Sequence, residues 1–259
     1  HCSFAFVTGC QMAHVTSLAA ARHALYDRIG YDLPKHGLAG APPIRVVVGA
    51  KRHVTLTRAL RLLGIGSEQE QVIPVDGQGR MRVDLLADLM AGDEDPTILC
   101  LQAGEVNTGA FDDLETGVAV AHDLGAWVHV DGAFGLWAAT SPDLAHLVAG
   151  HTGADSWATD AHKWLNVPYD CGIAICAHPR MHAAAMEYAA PYLDVATEAE
   201  LRALLEEYSL ELAATEAKMI DLSARRRFFA EEVQMVANIR SAAVVEALAS
   251  VARERFLPP

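Results

Sequence analysis

The sequence predicts an α/β fold of three layers, in which a mostly parallel β-sheet carries helices on both faces. Short apolar runs alternate with helical patterns between about residues 44 and 176, and glycine, proline or aspartate separates one from the next. Continuous apolar runs are typical of parallel strands that are buried on both faces. Hydrophobic residues make up 52% of the chain, which is enough for the core that such a sheet requires.

Six runs of β-branched or apolar residues predict the strands, and three helical patterns lie between them. The predicted strands are Ile44–Val48, Val72–Val75, Ile98–Leu101, Ala126–Val130, Ser156–Thr159 and Ile173–Cys176. The predicted helices are Val54–Leu63, Val83–Met90 and Leu114–Leu124. Ligands of open parallel sheets bind beyond the carboxyl ends of the strands, so we expect functional residues directly after these runs.

The distribution of glycine divides the chain into two parts. All 19 glycines fall between Gly9 and Gly172, whereas residues 197–255 are rich in Ala, Leu, Glu and Arg, a composition that favours helices. We therefore predict a domain over residues 1–193 and a helical C-terminal tail over residues 194–259, which could come from a different domain. The chain begins without Met and directly ahead of a small-residue turn, which indicates that the first domain is truncated at its amino end.

The composition argues against several classes of function. The 20 Lys and Arg residues against 33 Asp and Glu residues give a net charge of −13, which offers no basic surface to nucleic acid or to anionic membranes. No apolar run approaches the ~18–20 residues that span a bilayer. The five cysteines, an odd number at irregular spacing, favour reduced thiols over a disulfide framework. We therefore expect a cytoplasmic protein without nucleic-acid or membrane partners.

Two predicted strand ends carry the residues that indicate chemistry. Asp131 follows one apolar run, and His162 and Lys163 follow the next predicted strand. A Lys amine in a desolvated pocket loses its proton more readily and then attacks a carbonyl carbon, and a buried carboxylate can keep a heterocyclic nitrogen protonated. These are the two protein groups that pyridoxal phosphate chemistry requires. Taken singly, the aspartate also fits a turn and the lysine also fits a solvated surface.

Two further features fit the same cofactor. The turn Thr8–His14 leads into a helical pattern at Val15–Arg22, and the free N–H groups at such a helix start can hold a phosphate. His53 follows a predicted strand, where its ring could stack on one face of the cofactor while Ala133 lies at the other face. Each feature also has an ordinary explanation, because turns that lead into helices are common and a lone His often caps a helix.

These segments together resemble the group II pyridoxal-phosphate-dependent decarboxylases of the aspartate-aminotransferase-like superfamily (fold type I). The resemblance runs from about Cys2 to Leu193 in the order of the family's motifs. Its segments are Thr8–His14, His53, Gly104–Asp112, His129–Ala133 and Asp160–Trp164. The resemblance implies that residues 1–193 are the cofactor-binding major domain of this fold. It also implies an amino-acid decarboxylase that forms a homodimer.

The resemblance implies a role for each site residue. Lys163 would carry the cofactor as an internal aldimine, and Asp131 would pair with the pyridine nitrogen. His53 would stack on the ring, with Ala133 under its opposite face. Three further residues would lie near the phosphate: Cys10, Gln11 and His162. The catalytic residues would thus be Lys163, Asp131 and His53.

The sequence departs from the family pattern in two segments. The usual Gly-Gly-Thr or Gly-Ser type of turn followed by Ala-Asn is Gly9–His14 here, so an amide stands at Gln11 in place of a hydroxyl. The frequent Gly-Thr-Thr is Gly104–Val106 here. The same fold also supports transamination and C–C cleavage, so an aminotransferase and a C–C lyase stay alternatives. A third alternative is an inactive fragment that lacks residues needed to complete the site and is fused to a methyltransferase-like start. Arg225–Glu232 and Ala252–Pro259 resemble the start of protein-L-isoaspartate O-methyltransferase-like proteins over these short segments.

One cysteine and histidine pattern suggests zinc at first sight. Cys171, Cys176, His178 and His182 have the spacing C-x4-C-x-H-x3-H. If the segment from Cys171 to Cys176 is a strand, positions five apart point to opposite faces, so the two thiols cannot meet at one ion. We therefore predict no metal site.

Overall fold

The computed structural model describes residues 2–92 and 95–187 of the chain. The described strands are β1 (Ser3–Val7), β2 (Arg45–Gly49), β3 (Glu70–Ile73), β4 (Thr97–Gln102), β5 (Trp127–Asp131), β6 (Ser156–Asp160) and β7 (Gly172–Cys176). The described α-helices are α1 (Cys10–Arg28), α2 (Leu33–His36), α3 (Val54–Leu62), α4 (Leu86–Met90), α5 (Leu114–Asp123) and α6 (Pro179–Met186). Short 3-10 helices lie at Ser67–Gln69, Val83–Leu85, Gly135–Thr140, Ala145–Val148 and His151–Gly153.

The described residues fall in one compact unit, His1–Tyr188. The predicted tail over residues 194–259, with its likeness to methyltransferase-like proteins, lies outside the described residues. The boundary at residue 193 therefore stays a prediction.

In the described part of the chain, seven strands form one mixed sheet in the order β1-β7-β6-β5-β4-β2-β3. The run from β3 through β2, β4 and β5 to β6 is parallel, whereas β7 is antiparallel to β6 and β1 is antiparallel to β7. The register places Asp131 of β5 opposite Gln102 of β4 and Ala158 of β6. The carboxyl ends of these three strands therefore meet at one edge of the sheet.

The strands contribute alternate side chains to two apolar layers, one on each face of the sheet. On one face, Val46, Val48 and Ile98 pack with residues of α1 and α3. On the other face, Val47 and Leu99 pack with residues of α4 and α5. The predicted α/β fold, a mostly parallel sheet with helices on both faces, is confirmed.

The structure shifts the ends of two predicted elements. The predicted strand Val72–Val75 lies earlier, at Glu70–Ile73, because Pro74 has no N–H group to pair with a neighbouring strand. The predicted helix Val83–Met90 divides into a 3-10 turn and the short helix α4. The other predicted strands and helices agree with the structure to within a few residues at each end.

The structure corrects the sequence-based description of the amino end in two ways. Helix α1 begins at Cys10 and not at Val15, because Gly9 with a φ of 130° makes the turn by itself. The strand β1 was not predicted from the sequence. Its residues alternate between half-buried and exposed, as expected for an edge strand with one covered face.

All five cysteines, at positions 2, 10, 100, 171 and 176, are free thiols. Within the described ranges, no helix combines the length and the apolar character needed to cross a bilayer.

Candidate active site

A cavity of about 470 Å³ opens beyond the carboxyl ends of β5 and β6. All seven residues that the sequence analysis assigned to a cofactor site line this cavity: Cys10, Gln11, His53, Asp131, Ala133, His162 and Lys163. The structure therefore brings together side chains from α1, β5 and the segments after β2 and β6.

Asp131 is buried at the end of β5. Its Oδ1 accepts the Ala133 N–H at 3.1 Å, and its Oδ2 lies 3.5 Å from Nε2 of His14. Burial by itself would raise the pKa of this carboxyl group, but the His14 imidazole and the Ala133 N–H lower the pKa of Asp131 to about 2. The carboxylate is therefore ionised at neutral pH although it is buried.

Lys163 lies in the turn that follows β6. Its Nζ is 2.9 Å from Oδ2 of Asp160 and 3.8 Å from the centroid of the Phe134 ring. The other oxygen of Asp160 accepts the Cys10 N–H at 2.6 Å, which links the lysine to the start of α1. An ammonium group between a carboxylate and an aromatic face has a fixed position. The amine is thus held at the wall of the cavity.

The turn before α1 forms another wall of the cavity. A Cβ atom at Gly9 would lie 2.8 Å from Oδ1 of Asp170, so this close approach requires glycine. Cys10 is buried, and burial raises the pKa of its thiol well above the usual range. The Gln11 amide donates to the Thr55 carbonyl at 3.3 Å, and its Oε1 is buried without a partner. The amide NH₂ carries two protons, so one donor stays free for a ligand.

His53 lines the cavity and also caps a helix. Its Nδ1 accepts the Thr55 N–H at 3.4 Å and lies 2.8 Å from the Thr55 hydroxyl, so the ring is fixed ahead of α3. The helix cap uses only Nδ1 of His53, so the same side chain can also form part of the cavity wall. The stacking role of His53 opposite Ala133 stays a prediction.

His162 is held by its neighbours in the loop after β6. Its Nδ1 accepts the Cys171 N–H at 3.0 Å, and its ring lies 4.1 Å from the Tyr169 ring, between centroids. Because Nδ1 is the acceptor, the ring proton of the neutral form lies on Nε2. This nitrogen is 3.7 Å from Oδ1 of Asp160. A contact between His162 and a phosphate stays a prediction.

Sequence reasoning gave no role to two buried residues at this site, Asp160 and His14. Asp160 contacts the lysine, and the Nδ1 of His14 lies 2.9 Å from Nε2 of His129 behind Asp131. Burial, together with His14, lowers the pKa of His129 to about 3, so this ring is neutral. The sequence did contain a signal for Asp160, because this residue ends strand β6 and stands three residues before Lys163. No local signal pairs His14 with a residue 115 positions away in the sequence.

Three residues of the C-x4-C-x-H-x3-H pattern contact different partners. The sulfur of Cys176 accepts the His178 N–H at 3.4 Å, and the His178 ring contacts Asp155. The His182 ring lies 2.8 Å from the Ser3 hydroxyl. Within the described residues, these side chains do not converge on a common point.

The donor set of the cavity fits pyridoxal phosphate. An amine, an ionised buried carboxylate and a helix start whose N-cap residue, Gly9, provides no side-chain cap all face the same space. The volume lies in the range of about 300–1,000 Å³ that is typical of cofactor and ligand sites.

The chain matches the pyridoxal-dependent decarboxylase conserved domain over residues 6–216. This match covers most of the chain, so the protein belongs to the pyridoxal-dependent decarboxylase family. The predicted family and its cofactor, pyridoxal phosphate, are confirmed at this level. All predicted site residues lie within the match.

Individual relatives and structures agree with the family match. The aromatic-L-amino-acid decarboxylase of Bacillus atrophaeus is 31% identical over 174 residues, which cover 66% of this chain and 34% of the relative. The aspartate 1-decarboxylase of Aliivibrio fischeri is 31% identical over 201 residues, which cover 73% and 37%. The structure of Oryza sativa TDC with PLP and tryptamine matches with a TM-score of 0.68 and 27% identity over 75% of this chain and 40% of that one. The chain spans about a third of the length of the curated relatives it matches.

Proposed function

We propose that this chain binds pyridoxal phosphate through Lys163 and that the whole protein decarboxylates an amino acid. The observation that carries the proposal is the meeting of an amine and two buried carboxylates in one cavity. Lys163 follows β6, Asp131 ends β5, and Asp160 contacts the lysine Nζ at 2.9 Å. The family match supports the same assignment.

The side chains that line the cavity have different roles, which follow from their surroundings. Bound pyridoxal phosphate supplies an electron-accepting ring for the bond that breaks in the substrate. Lys163 provides the amine for covalent attachment, and Asp160 and Phe134 orient this amine. Asp131 holds a proton at the ring nitrogen, because a buried, ionised carboxylate favours a protonated partner.

We propose an aromatic amino acid as the substrate. Among the described residues that line the cavity, Lys163 is the only lysine and arginine does not occur. The acidic lining residues are Asp131, Asp160 and Asp170. A substrate with an acidic side chain would need a second cation, whereas Val106 and Phe134 offer apolar surface to an aromatic ring. The name of the Bacillus atrophaeus relative agrees with this choice, whereas the name of the Aliivibrio fischeri relative does not, so the proposal rests on the residues that line the cavity.

The attachment of the cofactor can be tested directly. Pyridoxal phosphate added to the purified protein should produce the absorption band of the lysine-bound cofactor, and borohydride should fix the cofactor on the peptide that contains Lys163. Lys163→Ala should remove both signals. Lys35→Ala, at an exposed lysine of α2, should keep both. A wild-type protein without the band, or an unchanged labelled peptide in Lys163→Ala, would contradict the proposal.

The reaction type follows from the products. A decarboxylase releases one carbon dioxide and one amine per turnover, an aminotransferase produces a 2-oxo acid, and a C–C lyase produces an aldehyde. We expect carbon dioxide and an amine, with kcat/KM for tryptophan or tyrosine at least about tenfold above that for aspartate. A 2-oxo acid or an aldehyde as the main product would favour one of the alternatives.

We also propose that the whole protein is a cytoplasmic homodimer. The free cysteines suit a reducing compartment, and the family resemblance supports the dimer. Sedimentation equilibrium of this chain should give twice the protomer mass of 27.8 kDa. A protomer mass at all concentrations up to about 100 µM would count against the dimer.

A further inference from the structure

We propose that Cys10, His14 and Asp131 form a binding site for a divalent transition-metal ion, with Zn²⁺ preferred, at the floor of the cavity. The thiol sulfur, a ring nitrogen and a carboxylate oxygen of these residues all lie within 4.8 Å of one another. All three residues are buried. This site shares no residue with the cysteine and histidine pattern that the sequence analysis considered.

Two distances between the ligand atoms match those around a tetrahedral ion. The Sγ of Cys10 lies 3.6 Å from Nε2 of His14, and this nitrogen lies 3.5 Å from Oδ2 of Asp131. A charge-assisted hydrogen bond between the ring and the carboxylate would be shorter, about 2.7–2.9 Å. Zinc with Zn–S of about 2.3 Å and Zn–N or Zn–O of about 2.0–2.1 Å separates its ligand atoms by about 3.3–3.6 Å.

The fold brings the three ligands together on two rigid elements. Cys10 and His14 stand four residues apart at the start of α1, so both side chains lie on one face of the helix. Asp131 ends the buried strand β5 opposite this face. A site built on a helix and a strand holds its geometry better than a site on loops.

A chain of hydrogen bonds behind His14 orients its ring for metal binding. The Nδ1 of His14 lies 2.9 Å from Nε2 of His129, and Nδ1 of His129 lies 2.9 Å from the Ser156 hydroxyl. With Nε2 on the ion, His14 carries its proton on Nδ1 and donates it to His129, which in turn donates to Ser156. The serine oxygen has two lone pairs, so it also accepts the Trp127 N–H at 2.9 Å. Such second-layer bonds are typical of metal-bound histidines.

The charges and the ligand types favour zinc. On binding, the Cys10 thiol releases its proton to solvent, so the thiolate, the Asp131 carboxylate and a neutral His14 balance the two positive charges of the ion. A site without net charge costs least to bury. Thiolate and imidazole ligands select Zn²⁺ over Mg²⁺ or Ca²⁺. Cys10 and Asp131 both line the cavity, so the fourth position of the ion faces the cavity and can take a water molecule.

The ion and the cofactor would use the same carboxylate. A Zn²⁺ ion on Asp131, with its positive charge and its water ligand, would occupy the space beside this carboxylate where the protonated ring nitrogen would otherwise lie, so the ion and pyridoxal phosphate exclude each other. This competition rests on the proposed function, whereas metal binding to the cofactor-free protein does not.

Cobalt provides a spectroscopic test of the site. The full chain, reduced and free of cofactor, should bind one equivalent of Co²⁺. The complex should show a thiolate-to-cobalt charge-transfer band and the visible bands of tetrahedral cobalt, and Zn²⁺ should displace the ion. Absence of the charge-transfer band in the wild-type protein would overturn the proposal.

Matched cysteine variants identify the sulfur ligand. Cys10→Ala should remove the charge-transfer band and weaken Zn²⁺ binding at least about 100-fold, while Cys171→Ala, at a half-buried cysteine outside the site, should keep both. Cys10→Ser serves if circular dichroism shows that Cys10→Ala does not fold. His14→Asn should weaken Zn²⁺ binding by a similar factor. A band that survives in Cys10→Ala or disappears in Cys171→Ala would refute the site.

The competition has its own measurement. Preloading the wild-type protein with Zn²⁺ should slow the borohydride labelling of Lys163, and a chelator should restore it. Cobalt bands in a protein whose Lys163 is never labelled would support the metal site and contradict the proposed function. Equal labelling with and without bound Zn²⁺ would contradict the competition.

Discussion

Strand β6 has a buried aspartate at each end, and the two are used differently. Asp155 stands just ahead of the strand. Its Oδ2 accepts the Val128 N–H at 2.7 Å and lies 3.0 Å from the His122 ring, and its Oδ1 lies 2.7 Å from the His178 ring. Both rings are half-exposed at the surface. This end of the strand is therefore a junction between β5, α5 and the segment after β7.

Asp160 is the last residue of the same strand. Like Asp155, it contacts a backbone N–H group and a basic side chain. One oxygen accepts the Cys10 N–H, and the other contacts the Lys163 ammonium group. The difference is that these partners line a cavity, whereas those of Asp155 pack against protein or face solvent. A buried carboxylate with basic neighbours therefore indicates a functional site only where a neighbour also faces a cavity large enough for a ligand.

The largest expected effect is a loss of turnover on substitution of Asp131, at the end of the sheet that faces the cavity. Asp131→Asn should reduce cofactor-dependent turnover by about a thousandfold, because a neutral amide cannot hold the ring nitrogen in its protonated form. Cofactor attachment at Lys163 should persist, since the amine is unchanged. Single-turnover assays on the borohydride-sensitive holoprotein measure both properties. Turnover within tenfold of wild type would remove Asp131 from the catalytic role.

Asp112 provides a pH-dependent test away from the cavity. Burial, reinforced by the nearby Asp76 and Asp131 carboxylates, raises the pKa of Asp112 to about 6, although its oxygens accept the Met81 and Gln102 N–H groups. The unfolded chain ionises this group near pH 4, so between about pH 4 and pH 6 the folded state binds more protons. The free energy of unfolding should therefore fall as pH rises through this window, by about 3 kcal/mol.

The contribution of Asp112 can be separated from that of other groups. Asp112→Asn lowers stability at every pH, because one backbone N–H loses its acceptor. Its stability curve should nevertheless be flatter than that of wild type between about pH 4 and pH 6. If urea denaturation gives parallel plots of unfolding free energy against pH for the wild type and Asp112→Asn, Asp112 titrates in the same way in the folded and unfolded states.

Asp155→Ala should act on stability alone. The substitution leaves the buried Val128 N–H without its acceptor and removes the partner of two histidines, which should cost about 2 kcal/mol in the free energy of unfolding. Turnover per folded molecule and the labelling of Lys163 should stay at wild-type values. A loss of labelling at temperatures where the variant is folded would mean that the two ends of β6 are coupled.

The smallest effect should come from His178→Ala. The ring loses its contact with Asp155 and its packing against the Trp127 ring, whose centroid is 5.0 Å away. Because the histidine is half-exposed, the expected loss is about 0.5–1 kcal/mol. His36→Ala, at an exposed histidine of α2, is a suitable control and should change stability by less. A loss above about 2 kcal/mol would give this surface residue a larger structural role than its exposure indicates.

The sequence predicted the sheet and the predicted site residues because their signals are local. The apolar runs of the parallel strands are continuous, and Asp131 and Lys163 each follow such a run. The edge strand β1 was not predicted, because only one of its faces is covered. The start of α1 at Cys10 was also not predicted. A single glycine, Gly9, makes the turn, so the helix begins earlier than the longer predicted turn allowed.

The family, the fold class and the residues at the strand ends can all be read from the amino-acid sequence, since each depends on patterns within a few residues. Which of these residues contact one another depends on the tertiary structure. The contact of His14 with His129, the bond from the Cys10 N–H to Asp160 and the proximity of His14 to Asp131 join positions more than a hundred residues apart. Such contacts depend on how α1 packs on the sheet, because no local pattern encodes the distance between two side chains on different elements.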